Sequence, residues 1–132
     1  MKDKFALTRG WIAKAQSDLS SAKKLVNSDG PYDTSCFHAQ QTIEKLLKAV
    51  LAFHSKPIPK THDLEELQRI CLEFVTIPSL GELDFTEITD YAVGIRYDLD
   101  FWPEQELALE SIANAEKVLK IIKQILPKQC HA

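Results

Sequence analysis

Glycine and proline are scarce in this chain, with four and six copies in 132 residues. That is too little turn chemistry for a loop-rich β sandwich or a low-complexity linker. Long apolar runs are absent as well. None approaches the ~18 residues of a membrane-spanning helix, so no membrane segment is expected. The start, Met1-Lys2-Asp3-Lys4-Phe5, is charged and leads into no long apolar core, so no signal peptide is expected. Cysteine is limited to Cys36, Cys71 and Cys130, an odd number with no C-x-x-C pair. Zinc and thioredoxin-type readings therefore have no support, and no metal or cofactor is expected. Free thiols in a cytoplasmic protein are the simple reading. The net charge is only −3, which argues against coating nucleic acid by bulk charge.

What is present is ordinary globular material, 45% hydrophobic and 27% charged. A chain of 132 residues makes one domain and buries enough surface to fold without disulfides or metal. Its periodicity is helical. Trp11, Ala15, Leu19, Ala22 and Val26 recur every three or four residues, one face of a helix that should stop at Asn27-Ser28-Asp29-Gly30-Pro31. A second helix is expected from about Asp33 to His54. Cys36, Ala39, Ile43, Leu46, Val50 and Phe53 form one stripe of it; Phe37, Gln40, Gln41, Glu44, Leu47 and Leu51 form the next. Apolar residues on so much of the circumference imply a central helix with neighbours on two sides.

Asp63-Leu64-Glu65-Glu66 has capping-box spacing and should start a third helix, with Leu64, Leu67, Cys71 and Phe74 or Val75 inward. Thr76 to Leu83 reads as a loop. A fourth helix from about Asp84 should carry Phe85, Ile88, Tyr91, Ala92 and Ile95 and end near Arg96-Tyr97. The fifth opens at Pro103, with Leu107, Ile112, Ala115, Leu119, Ile122 and Leu126 inward. The expected architecture is all-α: an up-and-down antiparallel bundle of four long helices plus one shorter helix.

Charge is unevenly distributed. Residues 1–60 carry +5, residues 61–106 carry −10 and residues 107–132 carry +2. An anionic ligand should approach the first half, and opposed halves favour self-association.

Four blocks stand out: Trp11-x-x-x-Ala15-x-x-Asp18-Leu19-x-x-Ala22; Phe37-His38-Ala39-Gln40-Gln41-Thr42-Ile43-Glu44-Lys45-Leu46-Leu47-Lys48-Ala49; Lys60-Thr61-His62-Asp63-Leu64; and Arg96-Tyr97-Asp98. In this order and at these intervals the chain resembles the HEPN family (higher eukaryotes and prokaryotes nucleotide-binding domain) over about residues 8–126. The resemblance implies a homodimer that works beside a minimal nucleotidyltransferase, in some cases as a toxin–antitoxin pair. A large branch of the family are metal-independent RNases whose motif is an Arg, then four to six residues, then a His. Here Arg96 is followed by Tyr97, Asp98, Leu99, Asp100, Phe101, Trp102 and Pro103, with no His in that window.

RNA cleavage needs one group to take the 2′-OH proton and another to protonate the leaving oxygen. Arg96 supplies charge but does not titrate. A binding module is therefore expected rather than an enzyme, with weak binding of ATP or GTP and no RNA partner. The ligand-binding candidates are Arg96, Tyr97, Lys45, Lys48, Glu44, Gln41 and His62. The rival is a divergent RNase built on Arg96, Asp98 and His62, and a third reading is a pure protein-interaction module. Each candidate also has a plain structural reading. Glu44 and Lys48 make an i,i+4 pair, the glutamines bond neighbouring helices, Thr61 and His62 shape a loop, and Arg96 makes an ion pair. Trp11 and Trp102 read as core or interface anchors.

Overall fold

The computed structural model describes residues 3–76, 78–86, 88, 94 and 97–132. Among these the chain is all-α, without strands. The helices are α1 (Lys4–Asn27), α2 (Tyr32–Phe53), α3 (Leu64–Leu72), α4 (Pro78–Gly81) and α5 (Gln105–Ile125), followed by a 3₁₀ turn over Lys128–Cys130. The long helices pack antiparallel as an up-and-down bundle, with α2 between α1, α3 and α5. The expected fourth helix falls largely outside the described residues, Tyr91, Ala92, Ile95 and Arg96 included. Its entry is visible. The Asp84 carboxylate accepts from the Thr86 amide at 2.9 Å, which holds its pKa below the usual range. Phe85 and Ile88 are buried.

α1 begins at Lys4, well before the apolar stripe that Trp11 opens. Asp3 caps it, accepting from the Ala6 amide at 2.7 Å. The extra turns hold the C-terminus, because the Arg9 guanidinium donates to the Gln129 carbonyl at 2.8 Å. The buried stripe is Thr8, Ile12, Ala15, Leu19, Ala22 and Val26. Ile12 thus takes the inner place assigned to Trp11, which is half-buried. The stop at Asn27 is where the turn residues put it. Gly30 sits at φ 98°, and a Cβ there would lie 2.9 Å from the Tyr32 amide nitrogen, so the turn requires glycine.

α2 is central, as its two stripes require. Fourteen of its 22 residues are buried, too many for a single contact face. α3 starts where expected: Asp63 accepts from the amides of Glu65 and Glu66 at 3.0 and 3.3 Å. Glu66 does not complete a reciprocal box. It accepts instead from the Thr61 hydroxyl, which itself accepts from the Asp63 amide, both at 3.1 Å. Phe74 is exposed with the Lys56 ammonium 4.5 Å from its ring centroid, and Val75 packs inward in its stead.

The expected 76–83 loop contains α4, one turn that Pro78 can open because its missing N–H costs nothing there. Leu80, fully buried, anchors it. α5 starts after Glu104, not at Pro103. Its inner face uses Ala108, Ser111 and Val118, while Leu107 and Leu119 are partly buried at its edge. No helix among the described residues is long and apolar enough to cross a membrane.

All three thiols are free and buried. Burial pushes the Cys71 thiol up to about 12 and also raises Cys36 and Cys130. The reactive form is the thiolate. Native protein at pH 8 is therefore expected to resist a thiol reagent such as DTNB and to react fully once unfolded in urea. Rapid native labelling of Cys71 would contradict this packing.

Candidate functional site

A helix repeats its facing every three to four residues, so Gln40, Glu44 and Lys48 form one column on α2. All three are buried, at 1, 3 and 7% exposure, where polar groups need partners. Glu44 is the centre of the column. Its Oε2 accepts from Lys48 Nζ at 3.2 Å and its Oε1 from His62 Nδ1 at 2.9 Å. An ionised carboxylate can only accept, so the proton of that bond sits on His62 Nδ1. The other ring nitrogen, Nε2, has no hydrogen-bond partner among the described residues, and the His62 side chain is 58% exposed. Thr61, Asp63 and Glu66 fix the backbone that delivers His62, which is the loop role expected for it.

A second set repeats the same chemistry between α1 and α2. Asp18 bridges His38 and Lys45: its Oδ1 takes His38 Nδ1 at 2.8 Å, and its Oδ2 takes the Lys45 ammonium. Here too the carboxylate orients an imidazole and neutralises a lysine. The Asp18 side chain is largely buried, while His38 and Lys45 remain partly open. Trp11 ties α1 to the first set, with Lys48 Nζ 5.8 Å from its ring.

The structure thus brings Glu44, Lys48 and His62 together and places Lys45 in the neighbouring cluster with Asp18 and His38. Gln41 is half-buried on the same arc of α2. Tyr97 and Asp98 are exposed, and Arg96 lies outside the described residues. The helix-to-helix glutamine bonds expected of Gln40 are not all made, since its Nε2 is buried with no partner. Asp18 and His38 were not among the sequence candidates for a site. Their signal was present, because Asp18 is the one acidic residue of the first block and His38 opens the polar run of the second. Pairing them required knowing how α1 and α2 align. Cys36 points away from His38, toward Ser111 Oγ at 3.8 Å. Among the described residues no group of three or more His, Cys, Asp or Glu is placed to hold a metal.

Two comparisons bear on this arrangement. The family model of the HEPN domain matches residues 8–125. The crystal structure of TT1696 from Thermus thermophilus superposes with a TM-score of 0.74 at 22% identity, covering 90% of this chain and 98% of that one. At that identity the likeness is one of fold. No curated protein matches the sequence.

Proposed function

The chain belongs to the HEPN domain family, and on that premise we propose that it acts as a dimeric nucleotide- or partner-binding module. In this reading it works with a separately encoded minimal nucleotidyltransferase, in a toxin–antitoxin-like pair. The observation that carries the binding role is the pair of carboxylate-held imidazoles beside α2, His38 on the helix and His62 on the loop before α3, each next to a lysine. His62 and His38 commit Nδ1 to their carboxylates and so keep Nε2 for a ligand, and the partly open Lys45 adds a cation. The Lys45 ammonium donates to phosphate oxygens, while each Nε2, with the ring proton on Nδ1, accepts from a ligand hydroxyl or amino group and donates to phosphate only when the ring carries a second proton. The ring orientation is already fixed, so little ordering is lost on binding. Lys48 is committed to Glu44 and supports the site from beneath.

The rival RNase reading draws less from this geometry. Residues 38 and 44 are about 9 Å apart along a helix axis. Six residues also turn a helix through about 600°, so His38 and Glu44 leave α2 in directions about 120° apart, which argues against one shared acid–base pair within one copy.

ATP or GTP is expected to bind in the micromolar-to-millimolar range and to weaken as salt is raised. Titration calorimetry should show His62→Ala and Lys45→Ala each losing roughly tenfold in affinity, the worth of one partly exposed charge-assisted bond. Arg96→Ala, carrying the fourth block, belongs in the same series. Unchanged affinity in all three variants would remove the nucleotide role and leave a protein-interaction module.

A further inference from the structure

Gly10 lies in the interior of the 24-residue helix α1, where glycine is unfavourable relative to alanine. Nothing among the described residues explains it, since a Cβ there would meet none of their atoms within 4 Å. The missing side chain opens a groove of about 320 Å3 lined by Ala6, Leu7, Gly10, Trp11 and Lys14. Leu7 is 43% exposed beside it. The groove is apolar with one basic side chain, the exposed Lys14, in its lining.

The chain also carries a segment of opposite character. From Tyr97 to Trp102 it alternates apolar residues with Asp98 and Asp100. Phe101 turns inward, and its ring would stand 3.1 Å from a Cβ at Gly94. Asp98 shapes the turn, accepting the Asp100 amide on its carboxylate and the Phe101 amide on its carbonyl. With Phe101 anchored, the other three apolar side chains project outward. Tyr97 is 77% exposed, Leu99 89% and Trp102 73%. Three such residues within six positions form an uncovered apolar patch, which marks an interaction surface.

We propose that the groove at Gly10 receives the Tyr97–Trp102 segment of a second copy of this chain, exchanged reciprocally about a twofold axis. The proposal rests on the dimer reading above and names its contacts. Charge favours this occupant, since a segment carrying Asp98 and Asp100 meets the Lys14 ammonium and like segments repel each other. The docked segment lies against Trp11, whose ring neighbours Lys48, so the partner would border the Glu44–Lys48–His62 site.

The test is sedimentation equilibrium on the full chain across a micromolar concentration series. The parent should run at twice its 15.0 kDa mass. Gly10→Leu fills the groove without touching its own fold, so it should raise the dimer dissociation constant at least about tenfold while the melting temperature of the monomer holds or rises. Trp102→Ser should do the same from the other side. Lys14→Glu should weaken the dimer, and adding Asp100→Lys to it should restore it. A dimer indifferent to Gly10→Leu and Trp102→Ser would overturn the proposed contacts and leave the dimer reading intact. A parent protein that stays monomeric throughout would overturn both.

Discussion

Glu44→Ala is expected to destabilise the protein by about 3 kcal/mol, the lower end of the range for breaking a buried ion pair. The side chains of Glu44 and Lys48 are 4 and 9% exposed, so removing the carboxylate leaves an ammonium without water or counter-charge. The cost sits at the lower end because the Trp11 ring offers Lys48 partial compensation at 5.8 Å. The His62 bond contributes less, its imidazole being 58% exposed. Its loss should instead free the loop before α3 and lower any affinity that depends on the orientation of that ring.

Urea unfolding at neutral pH measures the first effect. Two controls separate charge from packing. Glu44→Gln keeps the shape and one acceptor and should cost less than alanine. Glu44→Leu combined with Lys48→Met removes both charges and should recover most of the stability, as apolar replacement of buried pairs often does. If Glu44→Ala unfolds with the parent's midpoint, the pair is solvated in solution and the column is not a buried site.

The sequence exposed this column only in part. Glu44 and Lys48 were legible as an i,i+4 pair because a helix fixes that spacing without any tertiary knowledge. His62 was legible as a loop residue because Asp63 announces a helix start. That the two meet depends on the path of the connection through Pro57 and Pro59, which no local periodicity encodes. The Asp18–His38–Lys45 cluster was hidden for the same reason, since it requires the alignment of α1 against α2. Helix identity and order were readable from apolar spacing, whereas helix edges followed capping side chains. Asp3 extended α1, and Pro78 turned an expected loop into a short helix. Which apolar residue takes the inner place was decided by shape: the branched side chain of Ile12 fits the core beside α2, and the larger indole of Trp11 rides the edge.

Leu47→Ala is expected to cost about 3–5 kcal/mol. Leu47 is fully buried on α2, the helix that packs against three others. The cost of truncating such a leucine has two parts: the lost transfer energy of the removed atoms, and the cavity that rigid surroundings cannot close. Collapse is restrained here on the α3 side. The Leu47 carbonyl accepts from the Cys71 thiol at 3.4 Å, and Cys71 is itself fully buried between Leu67 and the α3 terminus. The backbone on each side of the cavity is therefore held in place. Leu47→Met, which conserves volume in a flexible chain, should cost less than about 1.5 kcal/mol. The pair of variants distinguishes a packed centre from a plastic one. Equal midpoints in urea for the alanine and methionine variants would show that α3 moves in to fill the space. A gap of about 2 kcal/mol or more, roughly the difference between the two expected costs, would show that α2 and α3 are locked together, the rigidity on which the placement of His62 over Glu44 depends.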